Sequence, residues 1–277
     1  MNFIEANGAQ IPAIGLGTMT LMDSVCIEAV QTALRLGYRH VDTAERYRNE
    51  TEVGEGLCRG LRAAGIDRED VFVTTKVYHD QLAAADFERS LDQSLRKLQL
   101  SWVDLLLIHW PNPKVPLKET IDALCKAKRD GRAKHVGVAN FTTSLLQDAV
   151  KAASEPLVTN QIEVHPFIDQ DKVQAACRAH GLAVTAYCPL ARGKVPGNDS
   201  LARIGQAHDK SPAQIALRYL VQQGIIPIPR TPKPDHLAAN LAVFDFKLSD
   251  AEMAEIARLK QAGLRVVNPP HAPHRDN

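Results

Sequence analysis

Cysteine is scarce in this chain, neither sign of charge prevails, and the sequence has no long apolar run and no low-complexity linker. Each shortage excludes something. The five cysteines, Cys26, Cys58, Cys125, Cys177 and Cys188, lie far apart, with no C-x-x-C pair and no Cys/His ligand spacing. Such a set builds neither a disulfide framework nor a zinc site, so the chain reads as one kept in a reducing compartment with no metal. Lys and Arg number 33 against 32 Asp and Glu, a formal charge of +1, with the two signs interleaved. That balance argues against nucleic acid, a membrane surface or a polyanionic partner. No window approaches the roughly 18 uncharged apolar residues of a spanning helix. The opening MNFIEANGAQIP lacks the basic and apolar regions of a leader, so the expected location is the cytoplasm. Without a linker, all 277 residues are read as one domain, a length that suits an α/β barrel of about 250 residues.

What the sequence does have is alternation. Short apolar runs occur at AIGLG (13–17), YRHVD (38–42), VFVTT (71–75), VDLLLI (103–108), KHVGV (134–138), LVTNQ (157–161), LAVTAY (182–187) and IIPIP (225–229). Amphipathic segments separate them. Val25 to Leu36 places Ile27, Val30, Ala33 and Leu34 on one helical face, and Phe87 to Leu98 follows a predicted Asp86 N-cap. Eight strand-helix steps of roughly 23–33 residues are the arithmetic of a (β/α)8 TIM barrel, which is preferred here to a doubly wound open sheet. The last step is longer and has room for an additional helix near Ser200 to His208, before a helix starting at Ser211-Pro212. Ahead of the first strand, Asn7-Gly8 between alternating apolar positions predicts a type I′ hairpin closing the bottom of the barrel. After the eighth strand come additional C-terminal helices, one over Ser249 to Leu259 with Ser249 as N-cap and Glu252 completing a capping box. The tail RVVNPPHAPHRDN is proline-rich and irregular.

In such a barrel the site is built at the C-terminal strand ends. Thr18 follows strand 1, Asp42 ends strand 2 with Tyr47 five residues on, Lys76 ends strand 3 and His109 ends strand 4. Asn140, Gln161, Tyr187 and Arg230-Thr231 follow or end the remaining four. This convergence turns His109 from a strand-ending histidine into a pocket residue. A tyrosine with a reference pKa of about 10 exchanges protons poorly near neutrality. A neighbouring lysine ammonium favours the phenolate, and an aspartate holds that lysine charged and oriented. Tyr47, Lys76 and Asp42 therefore read as a tuned proton donor, with His109 orienting a carbonyl oxygen. Trp110, Tyr78 and Met19 stand next to this group and are expected to line a substrate pocket.

The sequence resembles the aldo-keto reductases along essentially its whole length. GYRHVDTAERYRNETEVG (37–54) matches that family's first signature, KHVGVANF (134–141) its second with one exception, and IPIPRTPKPDHLAAN (226–240) a degraded third. LIHWP and NQIEVHP (160–166) are similar to family segments as well. The resemblance implies a barrel that binds NADPH in extended form without a Rossmann domain. It assigns Tyr47 as proton donor, Lys76 and Asp42 as its tuning pair, and His109 as the substrate-orienting residue. It further implies that Asn140 and Gln161 hold the nicotinamide carboxamide, Tyr187 stacks on the ring, and Arg230 and Thr231 grip the 2′-phosphate. Thr18, Asp42, Leu190, His236 and Asn240 complete the expected cofactor-binding set. The short loops and tail are most like bacterial 2,5-diketo-D-gluconate reductases, which also reduce methylglyoxal. The expected partner is therefore a small-molecule carbonyl substrate, and the chain is expected to be a monomer.

Three positions depart from the family pattern. Ala139 replaces the usual serine beside Asn140, His236 an arginine and Ala239 a glutamate. Histidine is a weaker, pH-dependent phosphate partner than a guanidinium, so NADPH is expected to be preferred by less than usual, with room for NADH. GEGLCRG (54–60) only imitates a dinucleotide loop, because Arg59 occupies the third glycine position and the segment has helical spacing. Arg265 in the tail reads as a solvated arginine in preference to a partner for a substrate carboxylate. Two rival functions use the same barrel: a Schiff-base aldolase with Lys76 as nucleophile, and a nicotinamide-binding regulatory protein with little turnover.

Overall fold

The computed structural model describes residues 2–274 and 276. Two antiparallel strands, β1 (Phe3–Ala6) and β2 (Ala9–Pro12), precede eight parallel ones. These are β3 (Leu16–Gly17), β4 (His40–Asp42), β5 (Phe72–Val77), β6 (Val103–Ile108), β7 (Ala133–Ala139), β8 (Leu157–Glu163), β9 (Ala183–Tyr187) and β10 (Ile225–Pro227). Each pairs with its sequence neighbour from β3 to β10. The ring closes where the Gly15 and Gly17 N–H groups donate to the Pro227 and Pro229 carbonyls, both at 3.0 Å. Gly17 is required at this seam: a Cβ there would lie 2.8 Å from the Ile228 carbonyl oxygen. The eight strands predicted from apolar runs are all present, and the structure is the expected (β/α)8 barrel.

The helices are α1 (Asp23–Leu36), α2 (Glu50–Ala64), α3 (Ala84–Leu98), α4 (Leu117–Arg129), α5 (Thr143–Ala152) and α6 (Asp171–Ala179), followed by α7 (Asp199–His208), α8 (Pro212–Gln222), α9 (Pro234–Leu241) and α10 (Asp250–Arg258). α7 is the additional helix of the long step between β9 and β10. Capping boxes form at Ser211/Gln214 and Ser249/Glu252, where each serine hydroxyl accepts the N–H three residues on. One boundary differs from the sequence reading. α3 starts at Ala84 rather than after Asp86, because Glu119 of α4 accepts the Ala84 N–H at 2.9 Å and supplies a tertiary cap. Asp86 instead sits in the first turn, where the helix dipole favours a carboxylate. GEGLCRG lies inside α2. Among the described residues, no helix is long and apolar enough to cross a membrane.

The core lies in two layers. Leu, Val and Ile side chains of the strands pack outward against the helix ring. Inside the floor of the barrel, Ala6, Ala9 and Ile11 of the hairpin pack against Phe72, Leu105, Val158 and Ile226. The hairpin turn places Asn7 and Gly8 at φ 44° and 86°, the left-handed pair a type I′ turn demands. The Asn7 amide also donates to the Leu157 carbonyl at 2.7 Å and the His180 carbonyl at 3.0 Å, fixing the plug to the barrel.

His40 is buried in the same floor. Its Nε2 lies 3.0 Å from the Thr74 hydroxyl, while Nδ1 has no partner among the described residues. Burial pushes its pKa down to about 4. The unfolded chain therefore takes up a proton near pH 6.5 that the folded one refuses until about pH 4, and stability falls as pH drops through that window. We expect the wild type to lose roughly 2 kcal/mol more than His40→Gln between pH 7 and pH 5. Urea unfolding at the two pH values measures this, and equal losses would refute it.

Candidate active site

The C-terminal strand ends bring four predicted residues into one contact chain. Lys76, 0% exposed, donates from Nζ to Asp42 Oδ1 at 2.5 Å and to the Thr43 carbonyl at 2.8 Å. The same nitrogen reaches the Tyr47 hydroxyl at 3.4 Å. Tyr47 ends a short 3₁₀ turn, Glu45–Tyr47, and its ring stands edge-on to His109 with centroids 5.7 Å apart. His109 follows β6, held by its N–H to the Val77 carbonyl at 2.9 Å. Its Nδ1 is buried with no partner among the described residues. Tyr78 flanks it at 5.5 Å.

The loops after β3 and β4 are locked together beneath this chain. The Thr18 N–H and hydroxyl both donate to the Asp42 carbonyl at 3.0 Å. Buried Asn49 donates to the Thr18 carbonyl at 2.7 Å and the Leu21 carbonyl at 2.8 Å, and accepts from the Thr43 hydroxyl at 3.1 Å. Asn49 was missed as a site residue, although it lies within the first signature. An amide that both donates and accepts is the side chain such a crossing of two turns requires.

The electrostatics differ from the expectation in one respect. A phenol made more acidic by Lys76 is not what the geometry produces. Burial pushes the Tyr47 pKa well above its ordinary value, and the Asp42 carboxylate pushes it further. The Lys76 charge is balanced by Asp42, so little remains to favour a phenolate. Burial likewise draws the Lys76 pKa down, opposed by Asp42. His109 is held well below the usual imidazole range by burial and then by Lys76, His271, His79 and Arg46. The site thus presents a protonated phenol, a neutral imidazole and an internally paired lysine.

The predicted nicotinamide residues join the same network. Asn140, in left-handed backbone at φ 64°, donates from Nδ2 to the His109 carbonyl at 2.9 Å and accepts from the Tyr187 hydroxyl at 2.7 Å. Gln161 donates from Nε2 to Asp42 Oδ2 at 2.7 Å. Leu190 is half-buried beyond Tyr187. At the start of α9, exposed Arg230 and His236 and buried Thr231 stand together, with His236 Nδ1 3.5 Å from the Thr231 hydroxyl. Lys233, whose N–H donates to that hydroxyl at 3.1 Å, joins them and was missed. Asn240 stands apart from this group in its bonding: it is buried in α9 as a hydrogen-bond partner of Tyr38. Met19 is 45% exposed, whereas Trp110 is buried.

The irregular tail crosses the barrel mouth. Glu163, at the end of β8, accepts the Val266 and Val267 N–H groups at 2.7 and 2.9 Å. Farther on, the His271 ring meets Tyr78 at 5.7 Å, Trp110 at 5.3 Å and His79 at 3.9 Å. Asp276 accepts from the Thr143 N–H and hydroxyl at 2.6 and 2.7 Å, at the start of α5. Sequence periodicity carries no signal for such contacts, because they belong to no regular element. Among the described residues, no group of three or more His, Cys, Asp and Glu side chains is placed to hold a metal ion.

A barrel with this mouth belongs to an oxidoreductase class that the comparisons identify. The aldo/keto reductase family model matches residues 13–261, and the chain belongs to that family. Methylglyoxal reductase DkgB of Escherichia coli O157:H7 is 39% identical over 262 residues, covering 94% of this chain and 96% of that one. A solved structure provisionally named 2,5-diketo-D-gluconic acid reductase B superimposes with a TM-score of 0.95 at 43% identity, covering 100% and 98% of the two chains. A Bombyx mori aldo-keto reductase solved in complex with NADP gives a TM-score of 0.89 at 34% identity, over 96% and 94%.

Breaking the buried ion pair at one end should cost about 3–5 kcal/mol, because the other charge is left without its partner. Asp42→Ala is expected to show this loss in equilibrium unfolding, and the double variant Asp42→Leu/Lys76→Met to recover most of it. A single-variant loss below about 1 kcal/mol, typical of a solvated pair, would contradict a desolvated pair.

Proposed function

We propose that this chain reduces small aldehydes and ketones, dicarbonyls and keto-sugar acids among them, to alcohols at the expense of NADPH. The observation that carries this reading is the contact chain Asp42, Lys76, Tyr47, His109. Tyr47, kept protonated by burial, holds its proton at the hydroxyl and donates it to the carbonyl oxygen. Neutral His109 aligns that oxygen by a hydrogen bond from its ring. Lys76 positions the phenol, and Asp42 keeps the ammonium in place. Bound NADPH supplies the hydride that the carbonyl carbon receives, so carbonyl, NADPH and a proton become alcohol and NADP⁺.

The polar groups present suit that cofactor. Asn140 retains a second amide N–H and Gln161 its carbonyl oxygen, the pair of functions a carboxamide needs. Tyr187 offers a half-buried ring beside them. Arg230, Lys233 and His236 bring cationic or hydrogen-bonding groups, with the Thr231 hydroxyl, to the start of α9, where a phosphate is favoured. The E. coli relative's name supports methylglyoxal as a substrate, and the provisionally named reductase supports 2,5-diketo-D-gluconate. A Schiff-base role for Lys76 is disfavoured, because its nitrogen already serves Asp42, Thr43 and Tyr47.

Two outcomes test this reading. Tyr47→Phe should bind NADPH nearly as the wild type does in a fluorescence titration, yet reduce methylglyoxal several orders of magnitude more slowly; an unchanged rate removes Tyr47 from the chemistry. With His236 in place of the arginine usual in the family, the ratio of kcat/KM for NADPH over NADH should stay below ~1,000, or about 4 kcal/mol of discrimination. A ratio above that would show that Arg230 and its neighbours suffice without an arginine at position 236.

A further inference from the structure

Past its anchor on Glu163, the tail forms a strap over the mouth that ends where Asp276 accepts from Thr143. Between the two anchors the strap has open space on either side. A cavity of about 590 Å³, walled by Trp110, Asn140, Arg265 and Pro273, lies on one side. A second, of about 980 Å³, lies on the other, between Ile108, Val115, Leu145 and the strap residues Pro270 to His274. Pro269, Pro270 and Pro273 have no N–H to give the barrel. The Ala272 N–H turns back to the Pro269 carbonyl at 3.0 Å.

His271 pins the centre of the strap. Its half-buried ring stands edge-on to Trp110 and Tyr78, with centroids 5.3 and 5.7 Å apart and Nε2 3.5 Å from the Tyr78 hydroxyl. It also stacks on His79, centroids 3.9 Å apart and planes tilted by 33°. Neutral imidazoles tolerate such a stack, whereas a charged one is set against every cation nearby. Cationic or protonatable groups surround it. Arg46 stands over the Tyr78 ring at 4.9 Å, His109 lies behind Tyr78 at 5.5 Å, and Lys114 and His274 share the wall of the larger cavity. Asp80, next to His79, opposes them. Burial, then His79 and Arg46, hold the His271 pKa below the usual imidazole value of 6.5 despite Asp80.

We propose that His271 and His79 form an acid-released latch: a proton on His271 drives the middle of the strap away from Tyr78, His79 and Trp110 and uncovers the mouth. The anchors at Glu163 and Asp276 hold the ends meanwhile, and the two cavities give the middle room to move. The sign follows from linkage. The closed strap disfavours a proton that the lifted, hydrated His271 accepts, so closure is fully favoured above about pH 6.5 and weakens as the pH falls below it. The latch governs access to the mouth, whatever reaction occurs there.

Tryptophan fluorescence tests the latch. The chain has two tryptophans, and Trp102 sits at the opposite end of the barrel, its ring between Arg68 at 4.0 Å and Lys134 at 3.6 Å. In a Trp102→Phe background the signal therefore reports Trp110 alone, which is buried with His271 against its edge. Its bimolecular quenching constant for acrylamide should rise about threefold or more from pH 7.5 to pH 5.5, the range in which a histidine switch acts. His271→Gln should abolish the pH dependence, His79→Gln should shrink it, and His271→Lys should give high quenching already at pH 7.5. The latch is refuted if the background protein shows no rise, if the rise survives in His271→Gln, or if His79→Gln leaves it whole. Protected Trp110 in His271→Lys would refute it equally.

Discussion

Everything at the mouth of this barrel is arranged around one buried ammonium. Lys76 has no access to water, and its charge is tolerated only because Asp42 and the Thr43 carbonyl surround it. Desolvating a charge costs several kcal/mol unless partners replace the lost water, so the position of Lys76 dictates the positions of those partners. Asp42 in turn ties Gln161 of β8 and Thr18 after β3 to the same point. Four strand ends, those of β3, β4, β5 and β8, are thereby tied around one ion pair, and the Tyr47 hydroxyl meets its nitrogen at 3.4 Å.

The consequence for the phenol is less obvious. A lysine beside a tyrosine suggests an acidified hydroxyl, but a lysine already neutralised by a carboxylate exerts little net field. Burial then governs, and Tyr47 keeps its proton. For the proton donor proposed above, retention in the resting state is the useful condition. His109 obeys the same logic with opposite charge: burial and surrounding cations keep it neutral, able to donate a hydrogen bond without adding a positive charge.

Much of this was legible beforehand, and the reasons are physical. Strands buried on both faces read as apolar runs, so VDLLLI coincides with β6 and the other seven strands fall within a few residues of their predicted spans. The Asn7-Gly8 turn and the Ser249/Glu252 box are local devices that declare themselves in four residues. Contacts set by tertiary neighbours were not legible. Glu119 capping α3 from another helix, Asn49 pinning two turns and Lys233 joining the cluster before α9 depend on segments far apart in sequence or on backbone direction. The tail read as irregular, which it is, but irregularity concealed its anchors at Glu163 and Thr143. Arg265 changed most, from a solvated residue to a half-buried one in a cavity wall.

The two ends of the barrel are finished by different means. Below, the hairpin is held through Asn7 and packs its apolar face into the floor. Above, the tail is held at two points, where the Glu163 carboxylate accepts the Val266 and Val267 N–H groups and where the tail's own Asp276 accepts from Thr143. Surface attachment of the protein is accordingly asymmetric. A resin or electrode linked through the hairpin side leaves the mouth facing solution, whereas a linkage through the strap pulls on a wall of the cavity beside Trp110 and Asn140.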